Sequence, residues 1–135
     1  MKEIRLPAKT ENLKKVIDFV SSELEIHSCP LRAKFQIELA VEEIFVNIAN
    51  YAYRPEVGEA TVRCSVEGEP LQVTVQFFDR GKEYNPLSRE APDTSLPLED
   101  REIGGLGILL VKKNMDTIDY EYREGKNILT IKKKV

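Results

Sequence analysis

IELAVEEIFVNIANYA, residues 37–52, is the stretch on which the reading of the fold turns. Ile37, Ala40, Val41, Ile44 and Ile48 recur at helical spacing and make one apolar stripe. They predict the core-facing part of a long helix from about Leu31 to Ala52. Inside it Glu43 and Asn47 lie four residues apart, about 40° around the axis, so both point the same way beside the stripe. Glu42 lies about 140° from Asn47 and is expected in solvent. A carboxylate next to an amide oxygen suits a hard cation or a water to be polarised. The same pair also fits an ordinary i,i+4 contact on an exposed helix flank.

Towards the N-terminus, Leu13, Val16, Ile17, Val20 and Leu24 repeat at helical spacing, with Thr10 placed to cap that helix. Residues 3–7 alternate and predict a short strand ended by Pro7. Towards the C-terminus, the period changes after Pro55 and Gly58. Residues 60–66 and 71–78 alternate as two strands joined through Gly68-Glu69-Pro70, and Asp79-Arg80-Gly81 follows. Residues 82–103 carry Pro86, Pro92 and Pro97 and no period. A structureless stretch that long is expected in a compact domain only where it is functional. Gly104-Gly105-Leu106-Gly107 closes it, and Ile108, Leu109, Val111, Lys112 and Met115 predict a helix. Residues 117–122 and 127–133 form a last strand pair, turning at Glu124-Gly125-Lys126. The order βααββ–loop–αββ predicts an α+β fold: a two-layer sandwich, a mixed β-sheet with helices on one face.

Two further elements bear chemistry. Asp79, just past an apolar alternating strand, would put a carboxylate at a pocket edge, and Gly81 would let a flat ligand approach the backbone. Asp-x-Gly is also a common plain turn. Glycines 104, 105 and 107 at a helix start free backbone N–H groups to wrap an anion, where the helix dipole favours phosphate; a hinge has the same composition. No Walker A pattern occurs, and the glycine spacing does not fit the dinucleotide fingerprint.

Taken in order, these elements resemble the GHKL ATPase superfamily (the Bergerat, or histidine-kinase-like, ATPase fold), and most closely the bacterial anti-sigma-factor serine/threonine kinases. Glu43-Ile-Phe-Val-Asn47 is similar to the N box, Asp79-Arg-Gly81 to the first glycine box, and Gly104-Gly-Leu-Gly107 to the second. The resemblance covers residues 1–135 as a single ATP-binding domain and makes 82–103 the ATP lid. It implies ATP and Mg²⁺ as cofactors. Asn47 would bind the metal, Glu43 would orient or deprotonate the attacking hydroxyl, and Asp79 would accept from the adenine amino group beside Gly81. Gly104, Gly105 and Gly107 would line the phosphates. The implied activity is transfer of the γ-phosphate to a Ser/Thr of a small STAS-type anti-anti-sigma partner. A sigma factor is the second implied partner, and homodimerisation is a family habit. The other reading is a nucleotide-gated switch that sequesters a partner without phosphotransfer. Tyr51 stands where family members commonly carry a His.

Composition narrows the remaining classes. At 135 residues with 41% hydrophobic and 32% charged residues, the chain has the size and balance of one globular domain. A net charge of −3 argues against a nucleic-acid footprint. Lys132, Lys133 and Lys134 read as the solvated end of a strand. Cys29 and Cys64 make neither a disulfide framework nor a zinc site, and Cys64 alternates with Val62 and Val66 as a packing residue. No apolar leader core and no membrane-length run is present, so the expected location is cytoplasmic. His27, the only histidine, lies in a connector and lacks the helical hairpin of a phosphoacceptor. Tyrosines 51, 53, 84, 120 and 122 read as packing or edge-covering residues.

Overall fold

The computed structural model describes residues 1–53, 56–88 and 105–135. Five strands and three helices follow one another as β1 (Lys2–Pro7), α1 (Leu13–Ile26), α2 (Leu31–Asn47), β2 (Glu59–Glu67), β3 (Gln72–Asp79), α3 (Gly105–Asn114), β4 (Thr117–Arg123) and β5 (Lys126–Lys134). The strands form one sheet in the order β1-β2-β3-β5-β4.

The expected two-layer α+β sandwich forms, with one correction: every neighbouring pair is antiparallel, so the sheet is not mixed. The connections explain this. β1 and β2 are joined by two helices, and two helices return the chain to the end from which it left. β3 and β4 run in the same direction across α3, but β5 inserts between them and pairs with both. At the β4–β5 turn, Glu124 and Gly125 both have positive φ, 53° and 75°, the pattern of a tight hairpin turn.

Period-2 alternation decides which face is buried. Val62, Cys64 and Val66 of β2, Val73, Val75 and Phe77 of β3, and Leu129 and Ile131 of β5 point to the helix layer. Val16, Val20 and Leu24 of α1 and Ile37, Ala40, Val41, Ile44 and Phe45 of α2 meet them. Each large side chain so buried contributes about 1.5–3 kcal/mol. α2 packs between α1 and α3 and so covers the centre of the sheet. Lys2 Nζ meets the buried Glu23 carboxylate at 2.7 Å and ties β1 to α1.

Three local expectations change. Thr10 opens a 3₁₀ turn, Thr10–Asn12, and no side chain caps α1; Asn12 Nδ2 donates to the Pro7 carbonyl instead. The second helix is α-helical only to Asn47 and then widens into a π-helical turn, Ile48–Ala52. α3 starts at Gly105, so Gly105 and Gly107 stand at a helix start as expected. Lys133 is not simply solvated: Nζ donates at 2.9 Å to the carbonyl of Asn114, the last residue of α3. There a cation satisfies a free carbonyl and complements the helix dipole.

Candidate functional site

A cavity of about 400 Å³ opens between the sheet and the helix layer, at the end of β3. Its floor is Phe77 and Leu129, its helix side Ile44, Asn47, Ile48 and Ile108, and its rim Tyr51, Lys82, Tyr84 and Pro86. An apolar cleft of this size with a few polar groups suits a small flat ligand.

Asp79 enters the cavity through strand phase. It continues the inward series Val73, Val75, Phe77, so it is buried although it is charged. Desolvation raises its pKa; hydrogen bonds from Asn127 and the Gly81 N–H oppose that rise. Both donors reach Oδ1, each at 2.9 Å, and Oδ2 takes part in no hydrogen bond among the described residues. Gly81 does not itself line the cavity. Its backbone packs on the end of the π-helical turn, where a Cβ would collide with the Ala52 carbonyl, and the Lys82 N–H donates to that carbonyl at 3.1 Å.

Tyr53 locks the same junction. Its hydroxyl donates to the Glu59 carbonyl and accepts from the Arg80 N–H, each at 2.6 Å. Its ring lies so close to Gly58 that no Cβ fits there. One side chain thus ties the end of the second helix to the start of β2 and the end of β3.

Asn47 lines the cavity, half-buried. Glu43, one helical turn earlier, is half-buried but is not among the described lining residues. Burial first, and the nearby Glu42 charge second, raise its pKa. Glu42 is exposed, as its helical phase predicts. Gly107 faces Glu43 so closely that a Cβ there would fall on the carboxylate. Gly105 lies in the first turn of α3. Gly104 and residues 89–103 of the expected lid lie outside the described residues. At the start of the expected lid, Asn85 Oδ1 accepts from the Leu87 N–H at 2.9 Å and a 3₁₀ turn, Pro86–Ser88, follows.

Among the described residues no group of three or more His, Cys, Asp or Glu side chains is placed to cage a metal. An amide oxygen with a carboxylate one turn away still fits Mg²⁺, which keeps several waters and takes few protein ligands.

Sequence reasoning missed Asn127. It sits beside Gly125-Lys126 and reads as turn chemistry, yet it is buried and pairs in register with Asp79. Its signal was phase: with Leu129 and Ile131 it occupies the inward positions of β5. Three tyrosines taken for packing residues, Tyr51, Tyr84 and Tyr120, line the cavity.

An α+β sandwich with an apolar-walled cavity and one buried carboxylate has the form of a small-ligand site. A family model, that of the histidine kinase-like ATPase domain, matches residues 6–133, and the chain belongs to that family. It is 28% identical over 100 residues to the serine/threonine-protein kinase BtrW of Bordetella bronchiseptica, covering 74% of this chain and 70% of that one. It is 30% identical over 98 residues to the serine-protein kinase RsbW of Bacillus cereus, covering 71% of this chain and 61% of that one, under two thirds of the relative's length. Among solved structures, the histidine kinase AdeS of Acinetobacter baumannii superposes with a TM-score of 0.49 at 15% identity, over 99% of this chain and 68% of that one. No helix among the described residues is long and apolar enough to cross a membrane.

Proposed function

We propose that this domain binds Mg·ATP in the cavity and transfers the γ-phosphate to a Ser/Thr hydroxyl of a small STAS-type anti-anti-sigma protein, with a sigma factor as a second partner. The observation that carries the reading is the joint placement of Asn47 and Asp79 in one cavity, with Glu43 one turn away against the start of α3. The names of the two kinase relatives support it.

In this reading Asp79 Oδ2 accepts from the adenine amino group, and Phe77 and Leu129 hold the ring. Asn47 would hold Mg²⁺ through its amide oxygen, and the ion, when bound, would supply neutralisation of phosphate charge. Gly105 and Gly107, in the first turn of α3, leave backbone N–H groups for the phosphates, and Gly104, outside the described residues, is read as joining them. Glu43 takes the proton of the attacking hydroxyl as its oxygen bonds to the γ-phosphorus and the bond to the β,γ-bridging oxygen breaks, so that ADP leaves. A carboxylate whose pKa burial has raised is a better base near neutral pH. Phosphoryl transfer asks mainly for positioning and charge neutralisation, which such a set provides.

A partner needs a surface. Leu31 and Phe35, one turn apart on α2, and Ile26 at the end of α1 are 80%, 61% and 65% exposed, apolar side chains that do not line the cavity. The test is radiolabelled ATP with a candidate STAS-type protein and a Glu43→Ala variant. Label should pass to the partner with wild type and fall by about 10²–10⁴-fold in the variant, with ATP still bound. The second reading, a switch without transfer, takes its support from Tyr51 on the cavity rim. It predicts no label on any partner and full partner regulation by Glu43→Ala.

A further inference from the structure

β5 serves both ends of the site. Asn127, its second residue, lines the cavity, and Lys133, its last residue but one, lies at the far end. Lys133 pairs in register with the buried Val73 and continues the inward series Asn127, Leu129, Ile131, so a charged side chain points under the helix layer. It is half-buried, and its Nζ donates at 2.9 Å to the carbonyl of Asn114, the last residue of α3. Two more bonds close the same end. The Asp116 N–H donates to the Lys132 carbonyl at 2.9 Å, and the Lys134 N–H donates to Asp116 Oδ2 at 2.7 Å. At its other end α3 meets α2 through Gly107, which has no side chain to lock an axial position, against the flexible end of Glu43. The buried face between, Ile108, Val111 and Met115, is apolar, and apolar contact is non-directional. Among the described residues, the directional bonds that hold α3 along its axis are therefore those to β5. A helix is a stiff rod of fixed rise, about 14 Å from Gly105 to Asn114, so a slip at Asn114 is passed on to the glycines.

We propose that Lys133 is a positioning residue for the phosphate end of the site: by holding the C-terminal carbonyl of α3 on β5, it fixes where Gly105 and Gly107 present their N–H groups beside Glu43, without touching the ligand. The proposal rests on the reading that the cavity takes Mg·ATP and adds to it a residue at the opposite end of α3. With the tie cut, α3 samples other axial positions, and affinity for the triphosphate falls in proportion to the fraction of molecules left in register. A hydrogen bond from a charged group is strong enough to shift such an equilibrium about tenfold.

The experiment is calorimetric titration of the whole chain with Mg·ATP, well below every melting midpoint, where lost stability alone leaves the folded fraction and hence the affinity unchanged. Lys133→Met keeps the apolar stem and removes the cation; it should bind Mg·ATP about tenfold more weakly than wild type. Lys133→Arg keeps a cation within reach of the carbonyl and should stay within about twofold. Lys2→Met is the comparison: it cuts the tie between β1 and α1 and leaves the buried Glu23 carboxylate unpaired. It should lower the melting temperature at least as much as Lys133→Met while ATP affinity holds. Asp116→Ala removes the bond from the Lys134 N–H and leaves Lys133 in place; it should weaken Mg·ATP about threefold. A Lys133→Met variant that binds Mg·ATP as wild type does overturns the proposal. Should Lys133→Met fail to fold, Asp116→Ala at wild-type affinity overturns it instead. So does a Lys2→Met variant that loses as much affinity as Lys133→Met, since affinity would then follow stability alone. A wild type that binds no ATP overturns the nucleotide reading, and the inference falls with it.

Discussion

Glu43 makes no hydrogen bond and no ion pair among the described residues, and its pKa is raised, chiefly by burial. A carboxyl whose pKa is higher folded than unfolded costs nothing at pH values where both states are protonated. It costs most above the folded pKa, where the fold must hold an ill-solvated charge. Glu43→Gln is therefore expected to raise the melting temperature at neutral pH, and the gain should vanish as pH falls through the raised pKa. Thermal melts of both proteins from about pH 4 to about pH 8 check this; a destabilised variant at neutral pH would mean that Glu43 is paired in solution. Gly107 tests the same carboxylate from the other side. A methyl group there meets the far end of a flexible side chain, which can swing away. Gly107→Ala should fold with a melting temperature close to wild type and lose phosphotransfer by about 10²-fold, since a displacement near 1 Å costs that much.

The junction of the π-helical turn with the end of β3 behaves differently, because there the obstacle is backbone. A Cβ at Gly81 meets the carbonyl and carbonyl carbon of Ala52, which a rotamer change cannot move. Gly81→Ala should cost about 1–3 kcal/mol of stability by overpacking, read as a lower denaturant midpoint. A neutral result would mean that the two segments do not touch in solution. This junction also marks where sequence reasoning reached its limit. Strands declared themselves by alternation, and α1 and α2 by their stripes, because burial on one face imposes those periods. Two features left no local trace: the widening after Asn47 and the insertion of β5 between β3 and β4. Each is decided by contacts between segments distant in sequence.

Across the whole molecule, the site is assembled from the ends of elements that the core holds in place. Asn47 closes α2, Asp79 closes β3, Asn127 opens β5, and Gly107 lies in the first turn of α3. Glu43, Asn47, Asp79 and the glycines of the candidate site stand in the sequence as short motifs, whereas Asp79, read there as lying just past the strand, is its last inward position. Asn127 was not legible there, since a polar residue next to a hairpin turn looks ordinary until register sets it opposite a carboxylate. Away from the cavity, Phe35 is exposed and separable from this machinery. Phe35→Asp should leave folding and ATP affinity unchanged and weaken capture of the proposed STAS-type partner by about tenfold or more, measured by surface plasmon resonance; surface substitutions rarely cost more than about 0.5 kcal/mol of stability. Unchanged capture would place the docking surface elsewhere. The central claim, that the cavity holds Mg·ATP with Asn47 on the metal, is tested most directly by calorimetric titration of ATP with and without Mg²⁺, on wild type and Asn47→Ala. The account predicts that ATP binds, that Mg²⁺ tightens it, and that Asn47→Ala removes the gain. No heat and no thermal shift at millimolar ATP, or a Mg²⁺ gain that survives in Asn47→Ala, would contradict it.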